Sequence, residues 1–166
     1  MLSVEIIQTL YHYNAWANTR VLDTTEQLNE EQFTASVGAS FPSVRDTLAH
    51  TMSAQRNWLA RFRQQALPLA INSADYPRLN DLRRVWAVIE ADTQSFVKGV
   101  TEDDLARVIH YINSQGTPCA YPLWQMMVHQ ANHAAQHRSE VAVMLTQFGF
   151  SPGGLDFLVY IDSMQK

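Results

Sequence analysis

A lone cysteine, Cys119, stands in 166 residues, so no disulfide can form within the chain and the fold must hold through its core. This fits a reducing compartment. The setting Thr117-Pro118-Cys119-Ala120-Tyr121-Pro122 predicts a loop or short strand, with Cys119 as an ordinary half-buried thiol rather than a nucleophile. Nowhere do eighteen apolar residues run together, which argues against a membrane-spanning helix. The start Met1-Leu2-Ser3-Val4-Glu5 has neither the basic region nor the apolar run of a secretory signal, so the expected location is the cytoplasm. Charge is sparse, at 17% of residues and a net −4, and no Lys/Arg block interleaves with aromatics. Nucleic acid is therefore not an expected partner, nor is a membrane. A phosphate-cradling glycine loop, a dinucleotide fingerprint and a Ser-His-Asp arrangement are also missing. Any catalysis must come from another source.

What is present is apolar and periodic. Hydrophobic residues make up 46% of the chain, enough for a sizeable core in a single domain over residues 1–166. Four long stretches carry helical periodicity. The first is expected from Val4 to Gln27, capped by Ser3, with Leu2, Ile6, Leu10, Tyr13, Ala17 and Val21 as its apolar stripe. Asn29-Glu30-Glu31-Gln32 reads as a short capped turn before the loop Gly38-Ala39-Ser40-Phe41-Pro42. Ser43 caps the second helix, Val44 to Gln65, on which His50 takes a boundary position beside the Val44, Leu48, Gln55, Leu59, Phe62 strip.

Leu67 to Asn80 reads as loop. Extended, it spans about 46 Å at ~3.3 Å per residue, against ~33 Å for a helix of about 22 residues. It is long enough to cross the bundle and make helices two and three parallel. The third helix is expected from Asp81 to Lys98, a further helical turn at Thr101-Glu102-Asp103-Asp104, and a short hairpin around Val108–Ile112. Pro122 opens the fourth helix, which runs to Phe148 with Gly149 as its left-handed cap. The tail from Ser151 carries Leu155, Phe157, Leu158, Tyr160 and Ile161, enough apolar surface to dock. The expected fold is all-α, a four-helix bundle.

The chemistry concentrates on the fourth helix. His133 and His137 are one turn apart on the face that also carries Met126, Gln130, Val141 and Met144. Such a pair serves either a metal or ordinary packing and hydrogen bonding. His129 is rotated by about 40° from His133 and about 80° from His137, so two ligands from this helix plus one from elsewhere is the better arrangement. His129 is expected in the pocket or behind the ligands. His129-Gln130-x-x-His133 is not a zinc-protease motif, because Gln130 cannot act as a base.

Three segments together resemble the DinB family of DNA-damage-inducible, YfiT-like metal-binding helical proteins, which are unrelated to the polymerase of that name. They are Tyr13-Asn14-Ala15-Trp16-Ala17-Asn18; Phe41-Pro42-Ser43-Val44-Arg45-Asp46-Thr47-Leu48-Ala49-His50 with Trp58-Leu59; and Asn132-His133-Ala134-Ala135-Gln136-His137-Arg138. The resemblance implies an up-down-down-up bundle, commonly a homodimer, and a metal site of His50, His133 and His137. It also implies relatives that include thiol-dependent transferases and isomerases, so a small-molecule substrate or low-molecular-weight thiol is an expected partner. Two positions depart from the usual pattern. Ser139-Glu140 stands where many members have Gly-Gln, and Gln136 where many have His.

Three imidazoles suit one divalent transition metal, with Zn or Ni first and Fe, Mn or Cu open. They leave a position for water or thiol, as catalytic sites do. The expectation is a thiol-transferase or hydrolase; the alternative is a non-catalytic metal-binding or stress-associated interaction protein. Glu140 is expected to orient a ligand, serve as a base or form a salt bridge, and Arg138 to point away and pair with acids. Trp16 and Trp58 read as bundle packing, although either could wall a cleft, and His12 and His110 as incidental.

Overall fold

The computed structural model describes residues 3–37 and 40–165, so the expectations at Leu2, Gly38 and Ala39 lie outside the described residues. Four long helices form the bundle: α1 (Val4–Thr25), α3 (Val44–Phe62), α4 (Leu79–Gly99) and α6 (Leu123–Gln147). Two single-turn helices, α2 (Glu30–Thr34) and α5 (Glu102–Ala106), start at capping boxes built by Asn29 with Gln32 and by Thr101 with Asp104. Strands β1 (Val108–Ile112) and β2 (Pro118–Pro122) form the expected antiparallel hairpin, with Tyr111 opposite Cys119. A short tail helix, α7 (Phe157–Ser163), follows.

Local chemistry sets the ends of the helices. The Ser3 hydroxyl accepts from the Ile6 amide, and Ser43 accepts from Asp46 N at 3.1 Å. At the far end of α6, Gly149 has φ 90°, and the Phe150 amide reaches back to Leu145 O at 2.9 Å, closing a Schellman motif. The second long helix stops at Phe62 rather than Gln65 for the same reason. Gln64 takes the left-handed conformation, φ 54°, and the Gln65 amide bonds Ala60 O at 2.9 Å.

Contacts between helices give their directions. Asp23 of α1 and Glu26, which caps its end, bond Arg83 of α4, and Gln8 of α1 reaches Val97 O, so these helices are antiparallel. Gln55 meets Trp86, and Phe62 stacks on Phe96 seven residues further along α3, so α3 and α4 run parallel. Tyr11 reaches Met127 O and Asn18 receives Arg138, so α1 and α6 run parallel. His50 lies against His133 and Trp58 against His129, making α3 and α6 antiparallel. The bundle is therefore up-down-down-up. The crossing connection, residues 63–78, holds one short 3-10 turn at Ser73–Asp75.

The stripe on α1 differs from the expectation. Ala17 and Val21 are buried as expected, but Ile6 is 55% exposed, and Ile7, Tyr11, Asn14, Asn18 and Leu22 complete the buried face. An apolar stripe misplaces this face because Asn14 and Asn18 share it with the apolar residues. All four helices share that feature at one level of the bundle. One apolar cluster holds Val21, Leu48, Met52, Trp86, Val141 and Met144; the other holds Tyr11, Leu59, Phe62, Val97, Met126 and Met127. Between them lies a polar belt. Trp86 Nε1 donates to Gln55 Oε1 (2.8 Å), Gln55 Nε2 to Thr93 Oγ1 (3.1 Å) and Glu90 Oε2 (2.8 Å), and Gln94 Nε2 to Glu90 Oε1 (2.7 Å). Arg138 of α6 lies at the same level, held by Asn14 and Asn18 of α1.

Candidate metal centre

The histidines sit where α3 and α6 pack antiparallel. His50 projects from one helix, His133 and His137 from the other, and their Nε2 atoms converge. His133 Nε2 is 3.3 Å from His50 Nε2 and 3.2 Å from His137 Nε2. Ligand nitrogens ~2.0–2.1 Å from a tetrahedral ion are separated by about 3.3–3.4 Å, so both distances match edges of a ligand face. The three residues form a group that could hold a metal ion. His137 is buried, and the other two are half-buried.

Glu140 orients one of these rings. Its Oε2 lies 3.1 Å from His137 Nδ1, and its Oε1 accepts from Ser40 Oγ at 2.7 Å. A carboxylate at Nδ1 keeps the proton there and leaves the Nε2 lone pair facing His133, the orientation a metal ligand needs. Burial works to raise the Glu140 pKa, but hydrogen bonds from Ser40 and His137 outweigh it and hold the carboxyl below its usual range. His133 moves the other way. Burial, then the neighbouring imidazoles of His137, His50 and His129, push it down to about 4 despite the opposing pull of Glu140. Burial and His137 lower His50 as well, again against Glu140. His50 and His133 are thus neutral, ready to act as ligands, at pH 7.

The loop before α3 covers one flank. The Phe41 ring stacks on His50, with centroids 4.2 Å apart at 28°, and meets His137 edge-on at 5.5 Å. A 3.0 Å bond from Val37 N to Pro42 O closes this loop. On another flank, His129 stands 6.2 Å from His133 between ring centroids and packs edge-on against Trp58 at 4.9 Å. His129 and Trp58 line a cavity of about 360 Å³ together with Tyr111, Tyr121, Gln125 and Met126.

Several sequence expectations change here. Of the three roles expected for Glu140, the contact with His137 fits orientation of an imidazole and an ion pair with it. Arg138 does point away from the histidines, but its partners are not acids: it is buried, donates to the side-chain oxygens of Asn14 and Asn18 (3.0 Å to Asn18), and lies 5.5 Å from the Tyr13 ring centroid. Burial lowers its pKa against the pull of Tyr13 and Glu90. Of the two tryptophans expected to pack or to wall a cleft, Trp58 lines the cavity as well as packing the bundle, whereas Trp16 packs against Tyr160 of the tail at 5.6 Å. His12 and His110 are exposed and stand apart from the group. The sequence reading missed Phe41 as a cover, Ser40 as a support for Glu140, and the hairpin tyrosines as cavity wall. Tyr111 shares a strand face with the buried Ile109, a period-two signal that was available for it.

Fold and site together define a four-helix protein with a three-histidine candidate metal centre at the interface of two antiparallel helices. The DinB family model matches residues 1–166, and the chain belongs to the DinB family. It is similar to Protein DinB of Bacillus subtilis (strain 168), 21% identical over 157 residues that cover 92% of this chain and 91% of that one. Two crystal structures share the fold. A DinB-like protein from Bacillus cereus ATCC 10987 superposes with a TM-score of 0.69 at 17% identity, covering 90% of this chain and 95% of its own. A conserved protein from Enterococcus faecalis superposes with a TM-score of 0.65 at 12% identity, covering 87% and 96%.

Proposed function

We propose that the protein binds one divalent transition metal through His50, His133 and His137, zinc or nickel first, and uses it as a metal-dependent enzyme of thiol-transferase or hydrolase type. The convergence of three Nε2 atoms, at separations that suit one ion, carries this reading. When bound, the ion supplies Lewis acidity to a thiol or water in the position that the three ligands leave free. The chain does the rest. Glu140 holds the His137 tautomer, Phe41 keeps water from one flank, and the adjoining cavity receives an organic substrate. His129 is exposed at the cavity wall, where it can exchange a proton with a substrate.

A tail folded over the histidines would favour a purely structural metal site. Instead it docks on α1, where Tyr13 donates to Leu155 O at 2.8 Å and Tyr160 packs on Tyr13 and Trp16. Metal analysis of purified protein tests the first half of the proposal. One metal per chain is expected, with His133→Ala and His137→Ala each losing most of it while helical circular dichroism persists. Full retention in both variants removes the ligand assignment. Screening for thiol adducts and ester hydrolysis, with and without added metal, tests the second half. Adducts that form only with metal identify a transferase, hydrolysis without thiol identifies a hydrolase, and neither activity in any condition rejects the enzymatic reading.

A further inference from the structure

Ten arginines lie among the described residues, and in nine the guanidinium has an ion-pair or hydrogen-bond partner. Arg45, Arg63, Arg78, Arg83, Arg84 and Arg107 pair with carboxylates. Arg20 and Arg56 donate to the carbonyls of Pro152 and Leu69, and Arg138 to its two asparagines. Among the described residues Arg61 alone has neither an ion pair nor a side-chain hydrogen bond, and its Nε is buried without an acceptor. Its guanidinium is nevertheless held in place. The carbon Cζ lies 4.6 Å from the Trp58 ring centroid and 5.0 Å from that of Tyr111, and these two rings meet edge-on at 5.9 Å. Cation–π contact fixes the plane of the group without using its N–H donors.

Those two rings are also walls of the 360 Å³ cavity beside His129, whose lining contains no carboxylate. The volume is in the range of small-molecule sites, roughly 300–1,000 Å³. Trp58, Tyr111, Tyr121 and Met126 offer it flat aromatic and soft apolar surface. A positioned cation with free donors, next to an aromatic cavity without negative charge, selects for one kind of guest. We propose that this cavity binds a small aromatic or apolar molecule carrying a carboxylate, whose body packs between Trp58 and the hairpin tyrosines and whose carboxylate pairs with Arg61. Its placement as a substrate pocket rests on the metal-enzyme reading above; its preference for a carboxylate does not.

The probe is 1-naphthylacetate, compared with its neutral isostere 1-naphthylacetamide, with binding followed by calorimetry and ligand-detected NMR. The acid should bind the wild-type protein at least about tenfold more tightly than the amide, the scale of a hydrogen bond to a charged group. Arg61→Gln should remove that discrimination while leaving amide binding unchanged, and Arg61→Lys, which keeps the charge, should retain part of it. The preference should persist in His133→Ala and in chelator-treated protein. Equal binding of acid and amide to the wild type overturns the proposal, as does failure of both to bind at millimolar concentration; neither result needs a variant that folds. A preference that survives Arg61→Gln but disappears with chelation also overturns it, because the carboxylate would then be a metal ligand. Loss of metal from His133→Ala, scored separately, tests the histidine assignment alone.

Discussion

Glu140 supports the trio through a single contact on His137, at an edge of the site where solvent still reaches the carboxylate. Carboxylate–histidine contacts of this kind typically govern metal affinity by 10–100-fold. Glu140→Ala removes both the acceptor and the charge, so metal affinity should fall by about that range. Glu140→Gln keeps an amide oxygen for Nδ1–H and should fall by less. Ser40→Ala, one bond further out, should cost least. Competition with a chromophoric chelator ranks the three, and wild-type affinity in Glu140→Ala would show that His137 needs no support. Arg138 teaches a different lesson at this scale. A cation 3% exposed would ordinarily be expected to face a carboxylate, yet two asparagines of α1 receive it, so two of the family-like segments are hydrogen-bonded to each other. Residue type gave no indication that amides would replace acids.

The elements were the most legible part of the chain. Ser3, Ser43, Asn29 and Thr101 each bond the amide that a helix N-cap should, and Gly149 ends α6 with the expected positive φ. These signals are local and survive in sequence because each satisfies a backbone group that the helix itself leaves free. The faces were harder to read. Asn14, Asn18, Gln55 and Thr93 are buried because they belong to a belt that depends on other helices, which an apolar count on one helix cannot detect. The histidine trio had the same divided legibility. The i,i+4 spacing displayed the α6 pair, but His50 comes from a chain segment 83 residues away and needed the family resemblance to be paired with it. Cavity walls from the hairpin, distant in sequence, left only a strand-parity trace. Where the structure departs from an expected end, it makes a prediction. Gln64 occupies a left-handed cap position that glycine suits better, so Gln64→Gly should stabilise the fold by about 1 kcal/mol. Urea unfolding measures this, and a destabilised variant would mean that the Gln64 side chain contributes more than its backbone costs.

For the molecule as a whole, stability, pH and metal are linked through the same histidines. In the unfolded chain His133 takes a proton near 6.5, whereas in the fold burial and neighbouring imidazoles delay this to about 4. His50 shifts in the same direction. Between those values the unfolded state binds more protons, so metal-free protein should lose stability as pH falls from 6.5 towards 4, with the full contribution present above 6.5. Urea midpoints of chelator-treated protein at pH 7.5 and pH 5 check the sign; an unchanged or higher midpoint at pH 5 contradicts it. Metal should act in the opposite sense. The trio exists only when α3 and α6 are packed, so an ion that it holds favours the folded state by mass action. Free zinc at a hundredfold excess over its Kd is worth about 2.7 kcal/mol. In a domain of this size that raises Tm by about 5–11 °C. The shift should appear in calorimetric scans at pH 7.5, vanish with chelator, and be absent in His133→Ala. At pH 5 the shift should shrink, because protons then compete for ligands that metal needs neutral. A wild-type Tm indifferent to zinc, or an equal rise in His133→Ala, would place any bound ion away from the three histidines.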